Sequence, residues 1–279
     1  MTPPIEEVQL QKTGEDLLLY HYTSIDSFHG IFRSGKVWAS DCRYLNDSHE
    51  LAKAQDLFLS KFEGKTREAL SLAFHWHSFS RCHCVFSLSR SPKVLSQWRA
   101  YADDGKGVAI GFNAKYLLGH QKSPRKFLVD CIYTDHDGFI SSLAIRCAED
   151  VAELSRMYEE TVALNTFWQT IDINPAPLEN LYSELLRVKN DAFKEEQEVR
   201  LVINVSAQQA QTRTKNGLLI PYFEHIVVEE DDRNYFWCLA PEIWLGPKCS
   251  ERNIHAIGVF RQTGWTPISG IHRYDCGYI

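Results

Sequence analysis

No run of about 18 or more apolar residues occurs in the chain, which excludes a bilayer-spanning helix. The opening Met1-Thr2-Pro3-Pro4-Ile5-Glu6-Glu7 has neither the basic flank nor the apolar stretch of a signal peptide, so a cytoplasmic protein is expected. No Cys-x-x-Cys pair is present, and eight cysteines spread over 279 residues without an export signal are expected to be small buried thiols rather than a disulfide framework. Internal repeats and low-complexity stretches are absent, which excludes fibrous, solenoid and disordered classes. An excess of positive charge is also missing. With 30 Lys+Arg against 36 Asp+Glu the formal net charge is −6, which argues against a broad electrostatic footprint for nucleic acid and leaves only a local basic patch at Lys122, Arg125 and Lys126.

Aromatic residues are plentiful: 7 Trp, 12 Tyr and 15 Phe in a chain that is 44% hydrophobic can bury a large core. After a polar leader (1–15), the apolar run Leu17-Leu18-Leu19-Tyr20-His21-Tyr22-Thr23 predicts a buried strand. Ser24 then caps a helix through Ile25, Phe28, Ile31 and Phe32 that Gly35 ends, and a strand at 36–40 follows. Helices are predicted from near Ser48, with Asn46, Asp47 and Glu50 as capping groups, and over about 66–76. From Cys82 the period becomes two, with Cys82, Cys84, Phe86 and Leu88 on one face and His83, Val85, Ser87 and Ser89 on the other. A helix at Val94–Tyr101, strands at 108–112, 127–133, 196–203, 225–228 and 242–245, a helix at 251–261 and a strand at 271–274 complete the pattern. Between about 139 and 192, helical periodicity broken at Asn174-Pro175-Ala176-Pro177 predicts two inserted helices. The expected fold is a single α+β domain over 16–279 with one dominant sheet.

Three strand-associated polar groups could carry chemistry: His21-Tyr22-Thr23, Ser87-Leu88-Ser89 and Glu196-Gln197-Glu198. Each has an ordinary structural reading as well, namely a hydrogen-bonding histidine at a strand end, a serine pair in a strand and a solvated acidic face. On a regular strand Glu196 and Glu198 share one face, and two adjacent carboxylates tend to raise one pKa, as a general base requires. Arg200 continues that face, where it would bind a diphosphate or neutralise Glu198. Trp98 and Tyr101, at i and i+3, are either helix core or stacking groups for a planar ligand. His75, His77, Cys82 and Cys84 are zinc-ligand types, but their spacing on a helix and a strand does not bring them together, so no metal is expected. Gly105, Gly107 and Gly111 precede a strand rather than open a helix, which is not a dinucleotide fingerprint.

Tyr20-His21-Tyr22-Thr23, Asn46-Asp47 with Glu50, Val85-Phe86-Ser87, Gln97-Trp98 with Tyr101-Ala102, Gly107 to Phe112, and Lys189 followed by Glu196-x-Glu198-x-Arg200 resemble the bacterial family known as domain of unknown function 2971. The order His, Ser-x-Ser, Glu-x-Glu is similar, more distantly, to that of mono-ADP-ribosyltransferases. That resemblance implies a split, mostly antiparallel central sheet flanked by helices, with NAD as substrate bound across the split. By the same resemblance His21, Glu198, Glu196 and Ser87 would be catalytic, and His21, Tyr22, Thr23, Ser87, Ser89, Trp98, Tyr101 and Arg200 would contact NAD. His21 would hold the adenosine-side ribose, Ser87 would brace the catalytic strand, Glu198 would hold the nicotinamide ribose and Glu196 would orient or deprotonate the acceptor. It further implies a toxin or phage-defence effector acting on protein or nucleic acid, with an inhibitory or antitoxin partner. The alternatives are a non-catalytic nucleotide- or phage-component-binding module of the same fold and, third, a zinc-dependent hydrolase.

Overall fold

The computed structural model describes residues 17–45, 49–118, 124–228, 240, 242–262 and 270–278. The leader, Asn46, Asp47, Ser48 and Lys122 lie outside these. The chain opens with β1 (Leu18–Thr23), α1 (Ile25–Ser34) and β2 (Lys36–Asp41). The hydroxyl of Ser24 accepts the Ser27 N–H at 3.1 Å, and Gly35 at φ 66° ends α1, as the capping pattern predicts. A 3-10 turn (Cys42–Tyr44) leads to α2 (His49–Leu59) and α3 (Gly64–Ser80), then β3 (Arg81–Ser89), α4 (Leu95–Tyr101), β4 (Val108–Asn113), the single turn α5 (Ala114–Leu117) and β5 (Arg125–Asp130).

Four helices follow where two were expected: α6 (His136–Arg146), α7 (Ala148–Thr161), α8 (Phe167–Ile173) and α9 (Ala176–Leu185). Pro175 makes the break legible in the sequence. The other breaks fall at Cys147, which leaves helical geometry, and at Asn165, which adopts left-handed geometry at φ 55°, so neither is marked by Gly or Pro. A second 3-10 turn (Asp191–Glu196) enters β6 (Glu198–Ser206), and the hairpin β7 (Gln211–Lys215) and β8 (Leu218–Ile226), then β9 (Glu242–Leu245), α10 (Arg252–Gln262) and β10 (Gly270–Arg273), complete the chain. The sequence reading placed only the end of β8. Its hairpin turns at Asn216-Gly217, both at positive φ, a dipeptide whose backbone freedom suits a tight two-residue loop.

All named pairs in the sheet are antiparallel except β9–β10. Its organising element is β3, which has three neighbours. Along one edge it pairs with β6 over its whole length, from Arg81↔Ser206 to Ser89↔Glu198. Along the other edge it meets β2 only at Ser40↔Val85 and Asp41↔Cys84, and β1 only at Tyr20↔Ser89. One branch therefore runs β1-β4-β9-β10 and the other β2-β8-β7, and they part beside Phe86, Ser87 and Leu88.

One apolar cluster packs Leu19, Phe28, Cys84, Phe86, Ile110, Phe112, Leu201 and Ile203 across the sheet, and Cys82, Cys84, Phe86 and Leu88 all belong to it, on one face as their alternation predicts. A second gathers α2, α3 and α6–α9 around Phe58, Leu70, Leu143, Leu154 and Tyr182. Tyr182 ties this second cluster to the sheet, stacking on His83 of β3 at 3.9 Å while its hydroxyl donates to the Phe74 carbonyl at 3.1 Å. Six of the seven described free cysteines are buried and Cys276 is exposed.

Gly107 sits where β4 begins against β1: a Cβ there would lie 2.1 Å from the Thr23 carbonyl oxygen and 3.0 Å from that of Ala102. Both obstacles are backbone and cannot rotate away. Gly107→Ala should lower stability by about 2–4 kcal/mol. Gly258→Ala, in α10 with nothing within 4 Å, should be neutral or raise it by up to about 1 kcal/mol. Urea unfolding of both variants checks this, and equal effects would remove the close-approach argument.

Candidate functional site

Where the two branches part, a cleft of about 350 Å³ opens, within the ~300–1,000 Å³ range of small-molecule sites. β1 and α4 supply Tyr20, His21, Tyr22, Gln97 and Tyr101 on one side; β2, the first 3-10 turn and the β7–β8 hairpin supply Ser40, Tyr44 and Arg213 on the other. Ser87, Lys189, Glu196, Glu198 and Arg200 also line it.

The floor is a buried ion network. The Lys189 ammonium donates to carboxylate oxygens of both Glu196 and Glu198, the latter at 2.8 Å. Arg200 donates from Nε to Glu198 at 3.1 Å, from one terminal nitrogen to the Leu186 carbonyl at 2.6 Å, and from the other to Glu50 at 3.3 Å. Glu50 in turn accepts the Asn190 N–H at 2.6 Å. Lys189, Glu196, Glu198 and Arg200 are each no more than 7% exposed. Charges this deep cost several kcal/mol each to desolvate, and only mutual pairing offsets that cost. Among the described residues, the ion pairs of this network join Lys189 and Arg200 to Glu50, Glu196 and Glu198.

Burial alone would raise the Glu198 pKa, but the Arg200 and Lys189 charges, with hydrogen bonds from Lys189 and Ser87, prevail and hold it at about 2. The adjacent pair therefore does not push Glu198 upward toward a neutral-pH base; its neighbours keep it ionised. The regular strand expected across Glu196 and Glu198 is also corrected. Glu196 ends the 3-10 turn, Gln197 adopts left-handed geometry at φ 47°, and β6 starts at Glu198. The two carboxylates meet because that kink turns both toward Lys189, not because a strand repeats every second residue. Arg200 takes the neutralising role of the two read from the sequence.

His21 points its Nδ1 at the Ser87 carbonyl, 3.0 Å away, across the gap between β1 and β3. Burial pulls its pKa down to about 4 against the opposing effect of that carbonyl, so the ring is neutral at pH 7. A carbonyl can only accept, so Nδ1 carries the proton and Nε2 is left as an acceptor.

The remaining expected contacts divide. Tyr22 and Tyr101 line the cleft, and Tyr22 also braces the loop behind it, donating to the Ser91 carbonyl at 2.8 Å and accepting from the Val94 N–H at 3.1 Å. Thr23 and Ser89 are buried beside the lining; the Ser89 hydroxyl donates to the Glu196 carbonyl at 2.7 Å, bracing the kink. Trp98 is fully buried, edge-on to Tyr22 at 4.9 Å, with its indole N–H on the Pro92 carbonyl at 3.0 Å. It supports the wall from behind. Lys189, Glu50, Gln97 and Tyr20, which also line the cleft or pair in its floor, are among the residues that carry the family likeness but have no site role in the sequence reading, and Arg213 is marked by nothing in the sequence. Lys189 lies nine residues before Glu198, on an irregular segment with no periodicity to flag it.

A larger hollow of about 490 Å³ lies on the other side of that segment, lined by Glu50, Tyr133, Val188, Asn190 and the exposed Asp135 and Asp191. Lys189 faces the first cleft while its neighbours face this second one, so a single stretch of backbone partitions the two. Arg125 and Lys126 of the expected basic patch are turned to internal partners, the former to Asn180 at 2.8 Å and the latter to the Leu118 carbonyl at 2.9 Å.

The zinc-type residues do not converge. Cys82 and Cys84 enter the apolar cluster, His83 faces Tyr182 on the opposite side of the strand, and His75 stands edge-on to Phe79. Among the described residues no three metal-ligating side chains gather.

The arrangement is an α+β domain with a polar, charge-floored cleft at a branch in its sheet. Residues 97–201, from α4 to β6, match the family described as Protein of unknown function (DUF2971). The match takes in Gln97, Tyr101, Lys189, Glu196, Glu198 and Arg200, and leaves His21 and Ser87 outside it. No curated protein and no solved structure matches the chain.

Buried histidines dictate a pH response. Burial lowers His83 and His225 to about 4 and His77 to about 2, below the ordinary 6.5. The unfolded chain then binds more protons than the folded one as pH falls from 6.5 toward 4, so stability drops in that window. With His21, likewise lowered to about 4, four such groups give a slope of up to roughly 5 kcal/mol per pH unit. Glu198 adds in the same direction at lower pH: its depressed pKa stabilises the fold fully above about 4.5 and is lost as pH falls toward 2. Urea unfolding between pH 7 and 4 reads the slope, and stability that stays level down to pH 4 would refute the buried neutral histidines.

Proposed function

We propose that the cleft binds NAD and transfers its ADP-ribose to an acceptor. The observation behind this reading is the placement of Glu198: an ionised carboxylate on the floor of the branched sheet, lining the same cleft as Ser87 and His21. Breaking the bond between nicotinamide and its ribose sends the bonding pair out with nicotinamide and leaves positive charge at the anomeric carbon. A fixed carboxylate in a partly dry cleft stabilises that charge more than water does.

His21, neutral and with Nε2 as acceptor, receives a ribose hydroxyl. Ser87 orients Glu198. Glu196 receives the acceptor's proton as the acceptor's lone pair forms the new bond, so one proton is released for each nicotinamide. Lys189 holds both carboxylates in place. The wider role suggested by the family likeness is that of a toxin or phage-defence effector acting in the cytoplasm with an inhibitory partner.

Glu198→Gln should slow nicotinamide release by about 100-fold or more, the scale expected for one positioned electrostatic stabiliser. Leaving Lys189 and Arg200 short of a partner also costs stability, about 3–5 kcal/mol by analogy with broken buried pairs, so circular dichroism must first show a folded variant. His21→Ala should chiefly weaken NAD binding. Purified protein incubated with NAD, with and without cell lysate, gives the rates. A folded Glu198→Gln variant as active as the wild type would refute the assignment.

One observation favours a second reading. A single oxygen of Glu198 takes Lys189, Arg200 and the Cys131 thiol, the last at 3.4 Å, which suits a structural floor beneath a bound nucleotide. A binding module would gain thermal stability from NAD without releasing nicotinamide.

A further inference from the structure

The cations of the floor are ion-paired, and those on the hairpin side of the cleft are not. Arg213 and Lys215 lie two apart on β7, the outermost strand of its branch, and both line the cleft. Among the described residues neither forms an ion pair. Arg213 donates to the Ser40 hydroxyl at 2.8 Å, and its guanidinium lies over Trp38 at 5.4 Å and Tyr222 at 5.9 Å. Its Nε is buried without a hydrogen-bond partner. A buried guanidinium nitrogen left unpaired is costly, and an anion seated against it would remove that cost. In a chain of net charge −6, two unneutralised cations side by side mark this wall out.

Exposed apolar side chains stand beside these cations, and Trp38 keeps an exposed part of its ring although Arg213 lies over it. Trp38 is 47% exposed and Tyr44 42% exposed, and Leu218 at the hairpin is 58% exposed. Cations at a two-residue repeat track a phosphodiester backbone, and exposed aromatic faces take unstacked bases. An acidic peptide would satisfy the cations but make no use of the planar faces.

We propose that the wall formed by Trp38, Tyr44, Arg213 and Lys215 binds single-stranded nucleic acid and leads it into the cleft. As the assignment of an acceptor class this rests on the NAD reading; as a binding surface it does not.

Fluorescence anisotropy with a fluorescein-labelled 12-mer of oligo(dT) or oligo(U), full-length chain and no NAD tests the surface alone. Binding should fall as salt is raised. Arg213→Gln with Lys215→Gln should weaken it about tenfold or more and reduce the logarithmic salt slope by about 1.4, the contribution of two phosphate contacts to a single strand. Trp38→Ala should cost about tenfold through lost stacking. The Lys215→Gln single variant, on an exposed strand edge, keeps the test valid if Arg213 proves necessary for folding. Failure to bind either oligonucleotide, binding unchanged in all variants, or a labelled polyglutamate peptide bound as tightly would each overturn the proposal. Nicotinamide release, measured separately on the wild type, tells the two readings apart: release without oligonucleotide binding sinks this inference alone, and oligonucleotide binding without release sinks only the NAD reading.

Discussion

Everything at the centre of this molecule depends on keeping five charged side chains out of water together. Lys189, Arg200, Glu50, Glu196 and Glu198 come from a loop, two helical segments and one strand. Glu198 is the carboxylate that Lys189 and Arg200 share, and removing it takes a counter-charge from both. The network therefore acts as a registry device: β6, the kink before it and the Lys189 segment must all be in place before the floor of the cleft can exist. Buried ion pairs are poor sources of net stability, and a simple apolar floor would have been cheaper. What the charged version gives is a carboxylate that stays ionised although it is buried at the floor of the cleft.

The branch in the sheet serves the same end by different physics. A strand with one partner on one edge and two partial partners on the other leaves a stretch where backbone pairing lapses. His21 crosses that stretch to the Ser87 carbonyl, so a side chain does part of the work a neighbouring strand would do. The histidine is thereby fixed in one tautomer, and the gap remains open to a ligand.

Much of this fold is legible in the sequence because it follows from periodicity. The alternation through 82–89, the Ser24 cap, the Gly35 stop and the strand at 242–245 all depend on neighbours close in the chain. The site is legible only in part. Glu198, Ser87 and His21 stand out by residue type, but their mutual geometry comes from a left-handed Gln197 that no propensity marks, and from Lys189 and Glu50, which reach the cluster only through tertiary folding. The β7–β8 hairpin carried a usable signal in Asn216-Gly217, which the alternating cations and Thr residues before it obscured. Periodicity predicts two helices where four form, because two of the breaks use Cys147 and Asn165 instead of Pro or Gly.

One minor feature has practical weight. Six of the seven described thiols are shielded, and Cys276 is the exposed one. Two residues before it, Tyr274 stacks on Trp98 at 6.1 Å, and Trp98 is the ring against which Tyr22 of the cleft wall rests. A thiol-reactive dye at Cys276 would sit behind that wall, two aromatic contacts from the cleft, placed to register movement of α4 as a ligand enters without occupying the space the ligand needs.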